Sequence, residues 1–181
     1  MAMRQAKHIS ATEAAALVKS GDWIDYGVTI GQPDAFDAAL AARKDELTGV
    51  NFRSCISVKP RAVLEADPLG DHFTWFSWHY SGYDRKKADA GIAHYMPINL
   101  GEIPDYYRRF LPPIDVACIK VCPKDENGNY TFGGTGLWHP AVMECARTRI
   151  VEVCEHLPRT FNEGCKIHES EVDFVIAGDG S

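Results

Sequence analysis

Hydrophobic positions along this chain come in short blocks whose spacing switches between the helical and the extended period. Ser10-Ala-Thr-Glu13 spells a capping box, with Ala14, Leu17 and Val18 forming one apolar stripe and Gly21 as its stop. Trp23 to Val28 is short, aromatic and β-branched, the composition of a strand. The turn Gly27-Val-Thr-Ile-Gly31-Gln32-Pro33 follows, and Pro33 and Asp34 suit the first turn of a helix. Phe36, Ala39, Leu40, Arg43 and Leu47 then recur at helical spacing until Gly49, and Phe52 to Val58 reads as a second strand. Helix, strand, glycine turn, helix, strand predicts a βαβ unit in a parallel sheet.

The same alternation continues. Phe73 to Trp78 predicts a strand, Ser81 to Ala90 a polar helix stopped by Gly91, and Ala93 to Met96 a short strand closed by Pro97. Asp105 to Phe110 predicts a short helix, and Val116 to Val121 a core strand beyond the break at Pro112-Pro113. Asn127-Gly128 predicts a tight hairpin returning through Tyr130-Thr-Phe132. Pro140 to Arg147 reads as a helix and Ile150 to Val153 as a buried strand; a Pro-bearing coil follows, ending at Gly178-Asp-Gly-Ser181, a domain-boundary stub. The fold expected is α/β, an open mostly parallel sheet flanked by helices, in one domain over residues 1–181.

Composition narrows the function classes. A chain of 181 residues buries a real core. Its net charge of −6 argues against non-specific nucleic-acid binding, although a local basic patch still serves a coenzyme's phosphates. No apolar run approaches the roughly 18–20 residues of a membrane span, and MAMRQAKHIS lacks the apolar stretch of a secretory signal. Six cysteines lie mostly inside strand-like or helix-like patterns and read as buried thiols, so the expected compartment is the cytoplasm.

Two segments carry candidate chemistry. The G-x-x-x-G-x-P corner at Gly27 to Pro33 is either a plain tight turn or a cradle of backbone amides for an anion or oxyanion. It is neither a dinucleotide fingerprint nor a P-loop. The run Phe73-Thr-Trp-Phe-Ser-Trp-His-Tyr80 is a core strand whose carboxyl end carries His79 and Tyr80, where open α/β sheets gather ligands. Ser57 holds the equivalent place on the second strand. Asp125-Glu-Asn-Gly-Asn129 lacks the glycine and glutamate of a calcium loop, Cys165-x-x-His168 has no second zinc knuckle, and no serine sits in a hydrolase elbow. No metal is expected. Arg85-Lys86-Lys87 reads as either a contact for coenzyme phosphates or a solvated helix face.

GVTIGQP at 27–33, WHYSGYDRK at 78–86 and the stretch from Asn129 through Trp138-His139-Pro140 resemble the amino-terminal domain of the acetyl-CoA hydrolase/transferase family. Its members include butyryl-CoA and 4-hydroxybutyrate CoA-transferases. The resemblance implies a CoA-transferase (NagB/RpiA-like) domain with no cofactor beyond coenzyme A as substrate. It implies that Gly31, Gln32 and Pro33 line the pocket, with Gln32 donating to a carboxylate, and that His79 walls the acyl group. Tyr80, Tyr95, Ser57, Gly133 and Gly134 are further candidates for substrate contact.

Family chemistry is ping-pong: a glutamate carboxylate attacks the thioester, and exchange runs through an enzyme glutamyl-CoA thioester. By that resemblance the nucleophile belongs to a second, carboxy-terminal domain, and none of Glu102, Glu126, Glu144 or Glu152 matches its motif. The expected partners are acyl-CoA, a short-chain carboxylate, that second domain or a chain carrying it, and further copies in a homo-oligomer. The rival readings are a non-catalytic acyl-CoA or carboxylate-binding module and an acyl-CoA hydrolase.

Overall fold

The computed structural model describes residues 5–161 and 164–180. In chain order it runs β1 (Lys7–His8), α1 (Ala11–Ala15), β2 (Trp23–Val28), α2 (Ala35–Ala41), β3 (Val50–Cys55), α3 (Ala62–Ala66), β4 (Phe73–Ser77), α4 (Gly82–Asp89) and β5 (Ala93–Tyr95). Then follow α5 (Ile103–Arg109), β6 (Ile114–Val121), β7 (Asn129–Thr131), α6 (His139–Cys145), β8 (Ala146–Val153), β9 (Lys166–His168) and β10 (Phe174–Ala177). Among the described residues, eight strands form one parallel sheet in the order β1-β10-β8-β6-β2-β3-β4-β5. Successive strands run outward from β2 to β5, and the chain then returns to place β6 on the other side of β2. The carboxyl ends of β2 and β6 therefore flank the topological switch point, where ligands of open α/β sheets bind.

Two apolar clusters cover the two faces. Ala14, Val18, Phe36, Leu40, Val63 and Leu64 seat α1, α2 and α3 on one face, against Ile24, Phe52 and Trp75. Ile103, Tyr107, Val142 and Met143 seat α5 and α6 on the other, against Ala117, Ile119 and Val151. The expected α/β fold with an open parallel sheet is what forms.

Ser10 and Glu13 close the expected capping box on α1, but α1 ends at Ala15, short of the expected stop at Gly21. Ser81 with Asp84 closes a second capping box, on α4, that was not read from the sequence. Three further expectations change. The helix expected to run on to Leu47 stops at Ala41, and Lys44–Glu46 is a separate single turn. Asn127-Gly128 does turn, held by Asp125 accepting the Asn127 and Asn129 amides, but β7 makes its antiparallel ladder with β9. The Cys122 amide reaches the Thr131 carbonyl and the Asp125 amide that of Asn129, so the hairpin closes without a β6–β7 ladder. The expected terminal coil contains β10, whose Phe174–Ala177 pairs with Ile150–Val153. Ser181, the last residue of the expected boundary stub, lies outside the described residues.

Candidate functional site

The β2–α2 corner is closed from within. Glu152, on β8, is fully buried and its carboxylate accepts the amides of Asp34 (2.8 Å), Ala35 (3.2 Å) and Phe36 (3.0 Å). The positive end of α2 is thus already neutralised by a side chain of the same chain. Burial raises the Glu152 carboxyl above its ordinary range, with those three amides and Lys120 pulling the other way. The corner's glycines have a steric cause. A Cβ on Gly27 would strike the ring of His139, and one on Gly31 would strike the Thr135 hydroxyl. Gly27 also holds a φ of +67°, which side chains resist.

Gln32 and Ser57 turn inward. Both are almost fully buried, and the Gln32 amide donates to Ser54 Oγ (2.5 Å), the Cys55 carbonyl (3.2 Å) and Ser57 Oγ (3.4 Å). The Ser57 amide in turn donates to Asp84, which also accepts the Ser81 amide. This polar seam laces three strand-to-helix corners together. Gly31 and Pro33 are buried beside it, and the Pro33 carbonyl accepts from Arg61 (3.0 Å). Gly133 packs on Leu157, while Gly134 is exposed with open space around it.

His79, Tyr80 and Tyr95 do come together. His79 and Tyr95 line the mouth of a well of about 290 Å³ whose walls include Trp78, Ile103, Leu137 and Trp138. A contiguous notch beside it is lined by His79, Tyr80, Arg85 and Tyr95. The Tyr80 hydroxyl donates to the Ala93 carbonyl (3.0 Å), and its ring lies 5.2 Å from that of Tyr95. Beneath the well, the Trp78 indole donates to the Tyr107 hydroxyl (3.2 Å), which donates to Asp25. Burial carries the Asp25 carboxyl up to about 6, although Tyr107, the Gly27 amide and Arg53 favour its charged form.

A second cavity, about 340 Å³, lies over the switch point between Ile30, Val58, Lys59, Lys120, His156 and Leu157. Lys59, Arg61 and Lys120 all pair with Asp34. Burial works against ionisation of Asp34, yet these cations hold its carboxyl below the usual range. Asp34, Glu152 and Asp179 bring carboxylate oxygens within 4.8 Å of one another, but Lys120 and the α2 amides already engage the first two, which leaves no ligand set for a cation. The corner residues Thr29 and Ile56 stand next to one another at the ends of β2 and β3, with φ values of 48° and 50°. Left-handed backbone at β-branched residues is strained and gathers at functional corners.

Sequence reading missed the switch-point cavity. Its signal was present: Lys120 and Glu152 interrupt the apolar runs Val116 to Val121 and Ile150 to Val153, and the two are register partners.

The profile of the Acetyl-CoA hydrolase/transferase N-terminal domain matches residues 3–180. The chain belongs to this family. Butyryl-CoA:acetate CoA-transferase from Anaerostipes caccae is 42% identical over 178 residues, which is 97% of this chain and 40% of that protein. The probable butyrate:acetyl-CoA coenzyme A-transferase of Syntrophomonas wolfei is 42% identical over 95% of this chain and 38% of its own length. The chain therefore spans about two fifths of the length of the curated relatives it matches. The crystal structure of RipA from Yersinia pestis superposes with a TM-score of 0.84 at 23% identity, covering 95% of this chain and 42% of RipA. This acetyl-CoA hydrolase/transferase domain thus shares its fold with RipA.

Proposed function

We propose that this domain is the amino-terminal half of an acyl-CoA:carboxylate CoA-transferase for short acyl groups such as acetyl, butyryl or 4-hydroxybutyryl. The observation that carries the reading is the well at the carboxyl edge of the sheet, apolar within and polar at its mouth, in a chain 42% identical to a butyryl-CoA:acetate CoA-transferase. In this reading the acyl tail lies against Trp78, Ile103 and Leu137, and His79 stands at the level of the thioester carbonyl. The linings of the well, the notch and the switch-point cavity are apolar, aromatic and cationic, which suits a wall better than an attacking acid. Glu152, a glutamate at this edge of the sheet, is engaged by three backbone amides.

The nucleophile in this reading is a glutamate from the second domain. Its carboxylate adds to the thioester carbonyl and expels the CoA thiolate, leaving a mixed anhydride. The thiolate returns to the glutamyl carbonyl, releases the acid and leaves a glutamyl-CoA thioester, which the incoming carboxylate reverses. The walls described here exclude water, which separates transfer from hydrolysis. The test mixes the purified chain with a polypeptide carrying the second domain and follows exchange of CoA between acetyl-CoA and butyrate. Exchange in the mixture alone supports the reading; full exchange by the chain alone refutes it.

A further inference from the structure

Arg85 stands apart from the charge run it belongs to. Lys87 is engaged by the Leu64 carbonyl (3.0 Å) and Glu65 (2.9 Å), and Lys86 lines neither the well nor the notch. Asp84, beside it in sequence, points inward to the Ser57 and Ser81 amides. Among the described residues the Arg85 guanidinium has no ion pair or hydrogen bond, and it lines the notch with His79, Tyr80 and Tyr95. The notch shares His79 and Tyr95 with the well, so an unneutralised cation stands beside the mouth of a hydrocarbon-lined cavity.

That pairing fits an aliphatic monocarboxylate, tail in the well and carboxylate at the mouth. A guanidinium holds a carboxylate by two parallel hydrogen bonds as well as by charge. We infer that Arg85 is the residue that orients the acceptor carboxylate at the mouth of the well, a role that rests on the CoA-exchange reading above. It forms no covalent bond and takes no proton. The acceptor's oxygen still makes the new bond to the glutamyl carbonyl and the CoA thiolate still leaves.

The helix supporting Arg85 has its own cap in Ser81, so removing the guanidinium leaves α4 intact. In the intact enzyme, Arg85→Ala should raise the KM for butyrate about tenfold, the loss expected for one charge-assisted contact. The kcat and the KM for acetyl-CoA should stay within about twofold, and Arg85→Lys should recover part of the loss. An unchanged butyrate KM, or a rise confined to acetyl-CoA, overturns the inference; the second result would place a coenzyme phosphate in the notch instead. A wild-type enzyme without CoA exchange would sink the functional reading itself. Arg85 is then judged on the chain alone, by whether butyrate perturbs Trp78 and Trp138 fluorescence in wild type and Arg85→Ala weakens that titration.

Discussion

Gly27 and His139 occupy one space. The imidazole is fully buried, stacked 5.2 Å from Phe132, and pressed against the Gly27 α-carbon. Burial drives its pKa down to about 3; the Thr135 backbone favours the charged form but lies outside hydrogen-bonding geometry. Gly27→Ala should therefore cost about 2–4 kcal/mol in urea unfolding, from overpacking added to left-handed strain. In the double variant with His139→Ala the two losses should fall short of additive by about 1 kcal/mol or more; strict additivity would deny the contact. Asp25 offers a pH test. Its folded value of about 6 lies above the ordinary unfolded range, so folding favours the protonated form. That stability is complete below about pH 4 and is lost as pH rises through about 6. Asp37 behaves likewise. In Asp25→Asn the fall in unfolding free energy from about pH 4.5 to about pH 7 should shrink by up to ~2 kcal/mol. Equal falls in the two proteins would contradict the assignment.

Corners between strands and helices are where buried carboxylates do their structural work. Glu152 holds the start of α2, Asp37 accepts the Ala62 and Val63 amides at the start of α3, and Asp67 accepts those of Asp71, His72 and Phe73 ahead of β4. Each clasp satisfies amides that would otherwise be buried without partners. Glu152→Gln should destabilise the fold by about 2–3 kcal/mol and speed amide exchange at Asp34, Ala35 and Phe36, because one acceptor oxygen becomes a donor. Glu144→Gln, which removes only an exposed ion pair with Arg108, should change stability by no more than about 1 kcal/mol and leave that exchange unaltered. Elements of this kind were largely legible in the chain: the Ser10–Glu13 capping box, the strand at Trp23–Val28 and the terminal turn of α4 lie where local patterning puts them. The two unexpected strands share one feature, which is that a distant segment supplies the partner. Lys166–His168 takes β7, and Phe174–Ala177 extends the sheet beyond β8.

At the scale of the whole molecule, the carboxyl edge of the sheet is the apolar side. Ile30, Val58, Tyr95, Leu100 and Leu137 are each 43–58% exposed around the two cavities there. Leu137→Asp should change the unfolding free energy by no more than about 0.5 kcal/mol, since the side chain already meets solvent. In the intact enzyme it should lower CoA exchange at least about tenfold if this rim packs on the second domain. Exchange at the wild-type rate would show that the rim plays no part.

The sequence by itself determined the α/β class and the parallel sheet, because helical and extended periodicity, caps and glycine stops act over a few residues, while the resemblance of three motifs pointed to the family. Of the candidate site, it placed His79 and Tyr80 at one strand end and added Tyr95 by resemblance; the neighbouring parallel strand brings Tyr95 to the same edge. Only the tertiary structure decided that Gln32 and Ser57 face inward, that Glu152 closes the α2 start, and that Arg85 alone of its charge run lines the notch beside the well. Those outcomes depend on which groups arrive from strands far away in the chain, and a buried donor or charge takes its direction from the partner it finds there.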